Sequence, residues 1–429
     1  MKIVITGYTY TRSNLFEVFE FYPEKQNLYF ILPNNWKAKA GQVVFKPFKK
    51  EGFKIYHSPA YFFHSHYPLL GGLFKGWMPF FVFRLIWLRI TQRAKILYTA
   101  GEPNLLATLY NGFWAKILGM KHIFLFWENI PYEQKDKGVK LFLKKLIIKA
   151  NIALADGAIC GIHKAKNILL SFKPKFPVEA FLHAGFNVER FRPDGKSAIH
   201  PLENSRGDSM GGLKHRPPET SPDSESRGSR VGGMTDLPKA LEGKFVFLFV
   251  GALGYRKGIH LALEALAELK EKYPQLYFII VGSGSYGENL KLKVKSLNLE
   301  GIVKFIPWMS NEDLPLVYNL ADVFLYPSFP YEGWEEQFGY SIAEASLCSL
   351  PAISTKSGSI DEVLIDGKTG LMISPNNVLE LKEAMEKLIN DSELRKQLGE
   401  NGRKYIVENF SHQIIAKKLY NLFKKVYGK

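Results

Sequence analysis

The sequence predicts an α/β protein of two Rossmann-like, doubly wound parallel-sheet domains. Short apolar runs rich in β-branched and aromatic residues alternate with stretches long enough for a helix, the pattern of strand–helix–strand units and parallel pairing. From about Gly195 to Leu241 that rhythm gives way to Ser, Gly, Pro, Arg and Glu with little apolar periodicity, and then it resumes. With 429 residues, 46% of them hydrophobic, the chain can bury a core on each side of this break.

Taken in order, Ile3 to Thr6 reads as a first buried strand that Gly7 closes, followed by a polar turn and a helix from Leu15 to Phe21. Strands are expected at Leu28 to Leu32, Lys54 to Tyr56, Ile96 to Thr99, His122 to Phe126 and Gly157 to Cys160. Leu73 to Ile90 breaks the alternation, because Phe and Trp are interleaved with Lys75, Pro79, Arg84 and Arg89. Those interruptions argue against a spanning helix. Two readings stand open: a helix lying in a membrane interface, and a core helix whose arginines snorkel to water. His57, His64 and His66 have no carboxylate or cysteine at ligand spacing, so they read as loop histidines rather than a metal site.

Residues 1–194 are therefore expected to form the first domain, 195–242 a disordered linker or insertion, and 243–410 the second domain. In the second, strands are expected at Phe245 to Val250, Leu276 to Val281, Ile302 to Ile306, Val323 to Tyr326, Ala352 to Ser354 and Gly370 to Ile373. Helices are expected at Leu261 to Lys272, Asn289 to Ser296, Asn311 to Asn319, Glu336 to Glu344, Asp361 to Ile365, Leu379 to Ile389 and Ser392 to Glu408. Residues 411–429 form an amphipathic helix, with Ile415, Leu419, Leu422 and Phe423 on one face and lysines largely on the other, able to pack back on the first domain.

Charge is unevenly spread. Residues 1–200 hold 29 Lys and Arg against 12 Asp and Glu, whereas residues 201–429 hold 28 against 29, so the first half carries the whole excess behind the net charge of +16. Such asymmetry points to an anionic partner, or to a basic surface kept for solubility. No RNP-like or helix-turn-helix pattern is present, and a nucleic acid is not expected. Cys160 and Cys348 lie far apart in apolar surroundings, which suggests neither a disulfide framework nor a metal cluster. The amino terminus enters a β-rich run without an apolar leader, so a cytoplasmic protein is expected, with peripheral contact at an anionic inner membrane surface as a further option.

Two stretches carry chemistry. In Trp334 to Glu344 a loop enters a helix, with Glu336 at the mouth and Glu344 about two turns inside. A helix amino end favours anions and ligand hydroxyls, so two carboxylates so placed would grip two parts of an extended ligand. The same pattern also suits an acidic cap on an amphipathic helix. Gly251-Ala-Leu-Gly-Tyr-Arg-Lys-Gly258 joins a buried strand to a helix. Its backbone N–H groups, with Arg256 and Lys257, suit a diphosphate, although Gly-rich turns after strands are common for conformational reasons alone.

In order, these pieces resemble the retaining glycosyltransferases of the GT-B fold, family 4. The resemblance spans Ala155 to Pro193 and Phe245 to Phe410, about half the chain, and runs through Ala155-Asp-Gly-Ala-Ile-Cys, Gly185-Phe-Asn-Val-Glu-Arg-Phe-Arg-Pro193, the Gly251 loop, Ile280-Val-Gly-Ser-Gly284, Ala321-Asp-Val-Phe-Leu-Tyr-Pro-Ser328, Glu336 to Glu344, Gly358-Ser-Ile-Asp-Glu-Val363 and Gly367-Lys-Thr-Gly370. It implies a nucleotide-sugar donor held mainly by the second domain and an active site between domains. Glu344 would hold the ribose, and Glu336 with the backbone of Gln337, Phe338 and Gly339 the donor sugar. Lys257 and Arg256 would neutralise the diphosphate beside Gly251 and Gly282, and Trp308 would lie against the base. It implies transfer to a hydroxyl of a lipid-linked glycan, glycolipid or polysaccharide. It also implies a front-face route in which the leaving oxygen helps take the acceptor's proton. With no Asp-x-Asp motif, neither metal nor cofactor is expected.

The chain departs from the family pattern at three places. Ala252 stands where members commonly carry Arg, and Gly7 is followed by Tyr8 and Thr9 rather than a second glycine. Phe126 to Pro131 offers Glu128 where many members place a histidine; Glu128, Glu102 and Gly7 are the acceptor-side candidates. Two other classes compete: a sugar-nucleotide epimerase or hydrolase on the same architecture, and a non-catalytic basic binding protein.

Overall fold

The structure is a computed structural model and describes residues 1–34, 48–62, 72–194 and 237–428. His64, His66 and most of the expected linker, residues 195–236, lie outside the described residues. The described chain divides into two compact units, one comprising residues 1–186 and 412–428, the other residues 187–194 and 237–411.

In the first unit seven strands form one parallel sheet: β1 (Ile3–Thr6), β2 (Leu28–Pro33), β3 (Lys54–Ser58), β4 (Ile96–Thr99), β5 (Lys121–Phe126), β6 (Gly157–Cys160) and β7 (Val178–Ala180), in the order β3-β2-β1-β4-β5-β6-β7. All four β1 residues are buried, and Ile3 pairs with Leu28 on one side and Ile96 on the other. The strand order therefore reverses between β1 and β4, where an open α/β sheet leaves room for a ligand outside its carboxyl ends. β7, three residues long, escaped the sequence pattern. The expected Leu15 to Phe21 helix is instead a single turn, Ser13–Phe16, running into a 3₁₀ segment, Glu17–Phe21.

Helices cover the sheet. α1 (Phe81–Thr91) begins only after Pro79, not at Leu73, because proline suits a helix start and disrupts an interior. Phe81, Val82, Leu85 and Leu88 enter a core cluster with Val4, Tyr29, Ile31 and Leu97, while Phe80, Phe83, Trp87 and Ile90 face outward. The segment is thus a core helix that also presents an apolar outer face. Arg84 stacks on Tyr56 and Trp87 at 4.5 and 5.1 Å. α2 (Leu106–Ile117) and α3 (Gly138–Leu154) pack side by side, and α4 (His163–Leu170) follows β6.

In the second unit β8 (Phe245–Val250), β9 (Leu276–Val281), β10 (Val303–Ile306), β11 (Val323–Tyr326), β12 (Ala352–Thr355) and β13 (Gly370–Ile373) form a parallel sheet ordered β10-β9-β8-β11-β12-β13. The reversal falls between β8 and β11. α5 (Ile259–Leu269) buries Ile259, Ala262, Leu263, Leu266 and Leu269 at helical spacing. α6 (Leu314–Leu320), α7 (Tyr340–Leu347), α8 (Val378–Asn390) and α9 (Ser392–Phe410) complete the layers. Asn377 caps the start of α8: its side chain accepts from Glu380 N–H at 3.0 Å and donates to the Glu380 carboxylate at 2.8 Å. The expected helix at Asp361 to Ile365 is a 3₁₀ turn, Ile360–Glu362. Residues 187–194 join this unit through the Asp194 N–H, which donates to Asn319 Oδ1 at 2.9 Å, and through Arg403, which donates to the Phe191 carbonyl at 3.0 Å.

The last helix, α10 (His412–Tyr427), belongs to the first unit. It buries Ile415, Leu419, Leu422, Phe423 and Val426, packs against Glu17–Phe21, and sets Phe423 5.6 Å from Tyr98 and 6.2 Å from Tyr22. Tyr420 donates to Glu24 at 2.9 Å.

Candidate active site

Both strands that flank the switch point of the second unit end in chemically dense turns. After β8 the chain passes Gly251 and a 3₁₀ turn, Tyr255–Lys257, then enters α5 through Gly258. Gly258 has φ 68°, and a Cβ there would lie 2.0 Å from the Pro327 carbonyl oxygen at the end of β11. Only glycine lets these turns meet. The loop after β9 comes as close, since a Cβ on Gly282 would sit 1.9 Å from the Gly251 carbonyl oxygen.

This approach carries Lys257 inward rather than into solvent. Its Nζ lies 2.5 Å from Glu336 Oε2, and the two side chains are 9% and 10% exposed. The Tyr326 hydroxyl, at the last position of β11, accepts from Lys257 and donates to Glu336 Oε2 at 2.9 Å. Ser328 Oγ is 3.2 Å from both Glu336 Oε2 and the Arg256 carbonyl oxygen. Burial lowers the Lys257 pKa, against which Glu336 pulls upward. Tyr326 is raised well above its ordinary value, first by burial and then by the adjacent carboxylate. Tyr326 and Ser328 were not assigned from the sequence, although both lie in the quoted Ala321–Ser328 run. The signal was available, because the carboxyl end of a strand next to the switch point faces the site.

The helix of the Glu336–Glu344 motif is shorter than expected. Gly339, with φ 86°, is the left-handed residue before α7, so Glu336 stands in irregular chain three residues earlier and Glu344 is the fifth helical residue. A left-handed backbone cannot sit inside a right-handed helix, which moves the mouth from Glu336 to Tyr340. The Glu336 carbonyl accepts from Ser359 N–H at 2.9 Å. Glu344 accepts from the Tyr318 hydroxyl at 2.9 Å. Burial pushes the Glu344 pKa up to about 7, opposed by Tyr318 and Arg190.

Arg256 lies with its Cζ 3.2 Å from the centre of the Trp334 ring, and its Nη1 is buried without a hydrogen-bond partner among the described residues. Phe338 is buried against Phe410 and Tyr340, leaving its backbone rather than its ring to the motif, with Gln337 beside it. Trp308 is 72% exposed. Lys257, Arg256, Glu336, Gln337 and Gly339 thus gather around one turn cluster, and Glu344 follows one helical turn on. Among the described residues, no group of three or more His, Cys, Asp or Glu side chains could hold a metal ion.

The acceptor-side candidates sit around the switch point of the first unit. Gly7 follows β1, and a Cβ there would meet the Ala100 carbonyl oxygen beyond β4 at 2.7 Å. Glu102 accepts from the Trp127 N–H, while its Oε2 is buried without a partner among the described residues. Burial and then Glu128 raise the Glu102 pKa to about 8. Glu128 itself takes Lys135 Nζ at 2.5 Å. Beside Trp127, at 5.0 Å between rings, lies the buried His183, whose pKa falls to about 4 through burial and Arg12. Sequence reasoning passed over His183, because nothing in its local spacing sets it apart.

Residues 237–405 match the family model described as glycosyl transferases group 1. Spore coat protein SA of Bacillus subtilis is 33% identical over 192 residues, which cover 43% of this chain and 50% of that protein. D-inositol 3-phosphate glycosyltransferase of Corynebacterium jeikeium is 31% identical over 185 residues, 42% and 43% of the two chains. The GDP-mannose-dependent alpha-(1-6)-phosphatidylinositol monomannoside mannosyltransferase of Mycolicibacterium smegmatis is 29% identical over 219 residues, 49% and 56%. The chain spans about half the length of these curated relatives. Among solved structures, Anabaena Alr3699/HepE in complex with UDP superposes with a TM-score of 0.68 at 17% identity, covering 99% of this chain and 100% of that one. Sucrose-phosphate synthase from Thermosynechococcus elongatus gives 0.66 at 17% identity, covering 100% and 99%. At such identity the likeness shows the fold, and the fold is GT-B.

Proposed function

We propose that this chain is a glycosyltransferase that moves a sugar, with retention of configuration, from a UDP- or GDP-sugar to a hydroxyl of a lipid-linked glycan, glycolipid or polysaccharide. The observation that carries the reading is the buried Lys257–Glu336 pair at the switch point of the second unit, inside the stretch that matches the glycosyl transferases group 1 model. In this reading Glu344 holds the ribose hydroxyls. Glu336, with the backbone of Gln337 to Gly339, holds the transferred sugar, and Trp308 lies against the base.

The leaving nucleoside diphosphate gains negative charge as its bond to the anomeric carbon breaks, and that charge must be met by fixed donors or cations. Arg256, with its unpartnered Nη1, and Lys257 supply them, so no metal is required. A diphosphate arriving beside Lys257 competes with Glu336 for the ammonium. The acceptor oxygen bonds to the anomeric carbon on the face the diphosphate leaves, and its proton passes to the departing phosphate oxygen. Glu102 and Glu128 serve the acceptor side from the first unit. A mannosyltransferase of phosphatidylinositol monomannoside among the relatives supports a lipid acceptor, and with it peripheral contact with an anionic cytoplasmic membrane face.

Thermal shift with UDP, GDP and their sugars, followed by transfer of radiolabelled sugar to membrane lipids, tests the reading. A donor should raise the melting temperature, and Glu344→Ala should abolish the shift. If no nucleotide stabilises the chain, the proposal fails. Donor consumption indifferent to added acceptor would replace transfer by hydrolysis or epimerisation.

A further inference from the structure

The Gly251–Gly258 loop carries two cations, Arg256 and Lys257, and Lys257 is already taken up by Glu336. Arg256 forms no ion pair among the described residues, and its Nη1 is buried without a hydrogen-bond partner among them. A buried guanidinium N–H left unpaired is costly unless water or an anion meets it.

The chain that follows β11 grips this arginine at both its backbone and its side chain. The Arg256 carbonyl oxygen accepts from the Phe329 N–H at 3.0 Å and from Ser328 Oγ at 3.2 Å. A little further on, Tyr331 and Trp334 close a two-residue hairpin with N–H···O=C bonds of 3.0 and 2.9 Å. The residues between them, Glu332 and Gly333, have φ of 48° and 70°, as a type I′ turn requires. Glycine takes a left-handed backbone freely and Glu332 does not, so contacts must hold the turn. Tyr331 makes one of them, edge-on to Tyr255 at 5.1 Å. Trp334 makes the other, its ring centre 3.2 Å from Arg256 Cζ and 5.3 Å from Lys257 Nζ.

Only a guanidinium lying flat brings its central carbon that near a ring, over the face where the quadrupole attracts cations. Its N–H donors lie in its own plane, so contact through the face leaves them for an anion. The stack also fixes in advance a long side chain that would otherwise lose rotamer freedom on binding.

We infer that Trp334 is a positioning residue for phosphate binding: the hairpin lays its ring against the Arg256 guanidinium and so holds the guanidinium N–H groups ready for a diphosphate oxygen. The inference rests on the nucleotide-sugar reading above, and it names what fixes the cation of the loop that Glu336 does not hold.

Calorimetric titration of the full chain with UDP and with GDP, followed with whichever binds, tests it. Trp334→Leu should weaken binding by roughly tenfold, and Trp334→Phe, which keeps a ring, by less. Arg256→Gln should weaken it at least as much as Trp334→Leu, and the double variant no further than Arg256→Gln alone, because Trp334 acts through Arg256. Arg256→Lys keeps the charge and leaves the hairpin untouched but loses the planar fork, so it should bind nearly as weakly as Arg256→Gln. That variant reads the same contact even where Trp334→Leu fails to fold. A Trp334→Leu chain that binds as tightly as wild type or tighter, losses that multiply in the double variant, or an Arg256→Lys chain that binds like wild type overturns the positioning role and leaves the nucleotide reading in place. A wild-type chain that binds neither nucleotide overturns both.

Discussion

Replacing Lys257 by Met tests whether the buried pair acts as the hub of the second unit. Glu336 Oε2 receives Lys257 at 2.5 Å, Tyr326 at 2.9 Å and Ser328 at 3.2 Å. At 2.5 Å and an effective dielectric near 20 the charge attraction is about 6–7 kcal/mol. Desolvation of the ammonium offsets several kcal/mol of that, and methionine restores the packing of the lysine stem. What remains is a buried carboxylate that has lost its ammonium partner, and we expect a loss of roughly 3–5 kcal/mol near neutral pH. The loss should depend on pH. A buried carboxylate deprived of its cation shifts toward its protonated form, so the folded variant holds a proton that the unfolded chain releases above about pH 4.3. Stability relative to wild type then falls as pH rises, leaving a smaller deficit near pH 5 than near pH 8. Urea unfolding of both proteins across that range measures it, and Lys257→Met with Glu336→Gln should recover most of the loss near pH 8. A deficit below about 0.5 kcal/mol near pH 8, or one that does not shrink in acid, refutes the reasoning.

Two further outcomes are expected. Glu344 has a folded pKa of about 7, above its unfolded value, so its contribution to stability is present in acid and lost as pH rises through about 7. Glu344→Gln should therefore match wild type near pH 4 and melt higher, by roughly 2–6 °C, near pH 8, as read by scanning calorimetry; an unchanged difference between the two pH values would contradict it. Gly258→Ala and Gly243→Ala separate space from backbone preference, since both residues have positive φ but a Cβ on Gly258 meets the Pro327 carbonyl while one on Gly243 meets nothing within 4 Å. The first should cost more than about 3 kcal/mol and the second about 1 kcal/mol, by urea unfolding.

The parallel sheets were legible because buried strands are nearly continuous apolar runs, as in Phe245–Val250 and Leu276–Val281. Val178–Ala180 was not, because three residues hold no period to read. Glu336, Glu344 and Lys257 could be singled out from the sequence, yet the start of the motif's helix could not be placed, because the left-handed backbone at Gly339 is a conformational choice that glycine permits without announcing. Tyr326, Ser328 and Tyr318 surround those carboxylates through folding rather than spacing: Lys257 and its partner Glu336 are 79 residues apart in the chain. Leu73 to Ile90 stayed open between two readings for another reason. A helix with apolar residues on both faces has no clean period, so the pattern of α1 alone did not show which face the core would take.

The placement of α10 bears on how the protein is made. The first unit cannot close until residues 187–411, which belong mostly to the other unit, have left the ribosome, a wait of roughly 10–45 s at ordinary elongation rates. During that interval Tyr22 and Tyr98, which meet Phe423 in the finished fold, lack their cover. The second unit is free to fold first, although its sheet is made later. A nascent chain stalled before His412 should therefore present a protease-resistant second unit beside a first unit that still binds chaperones.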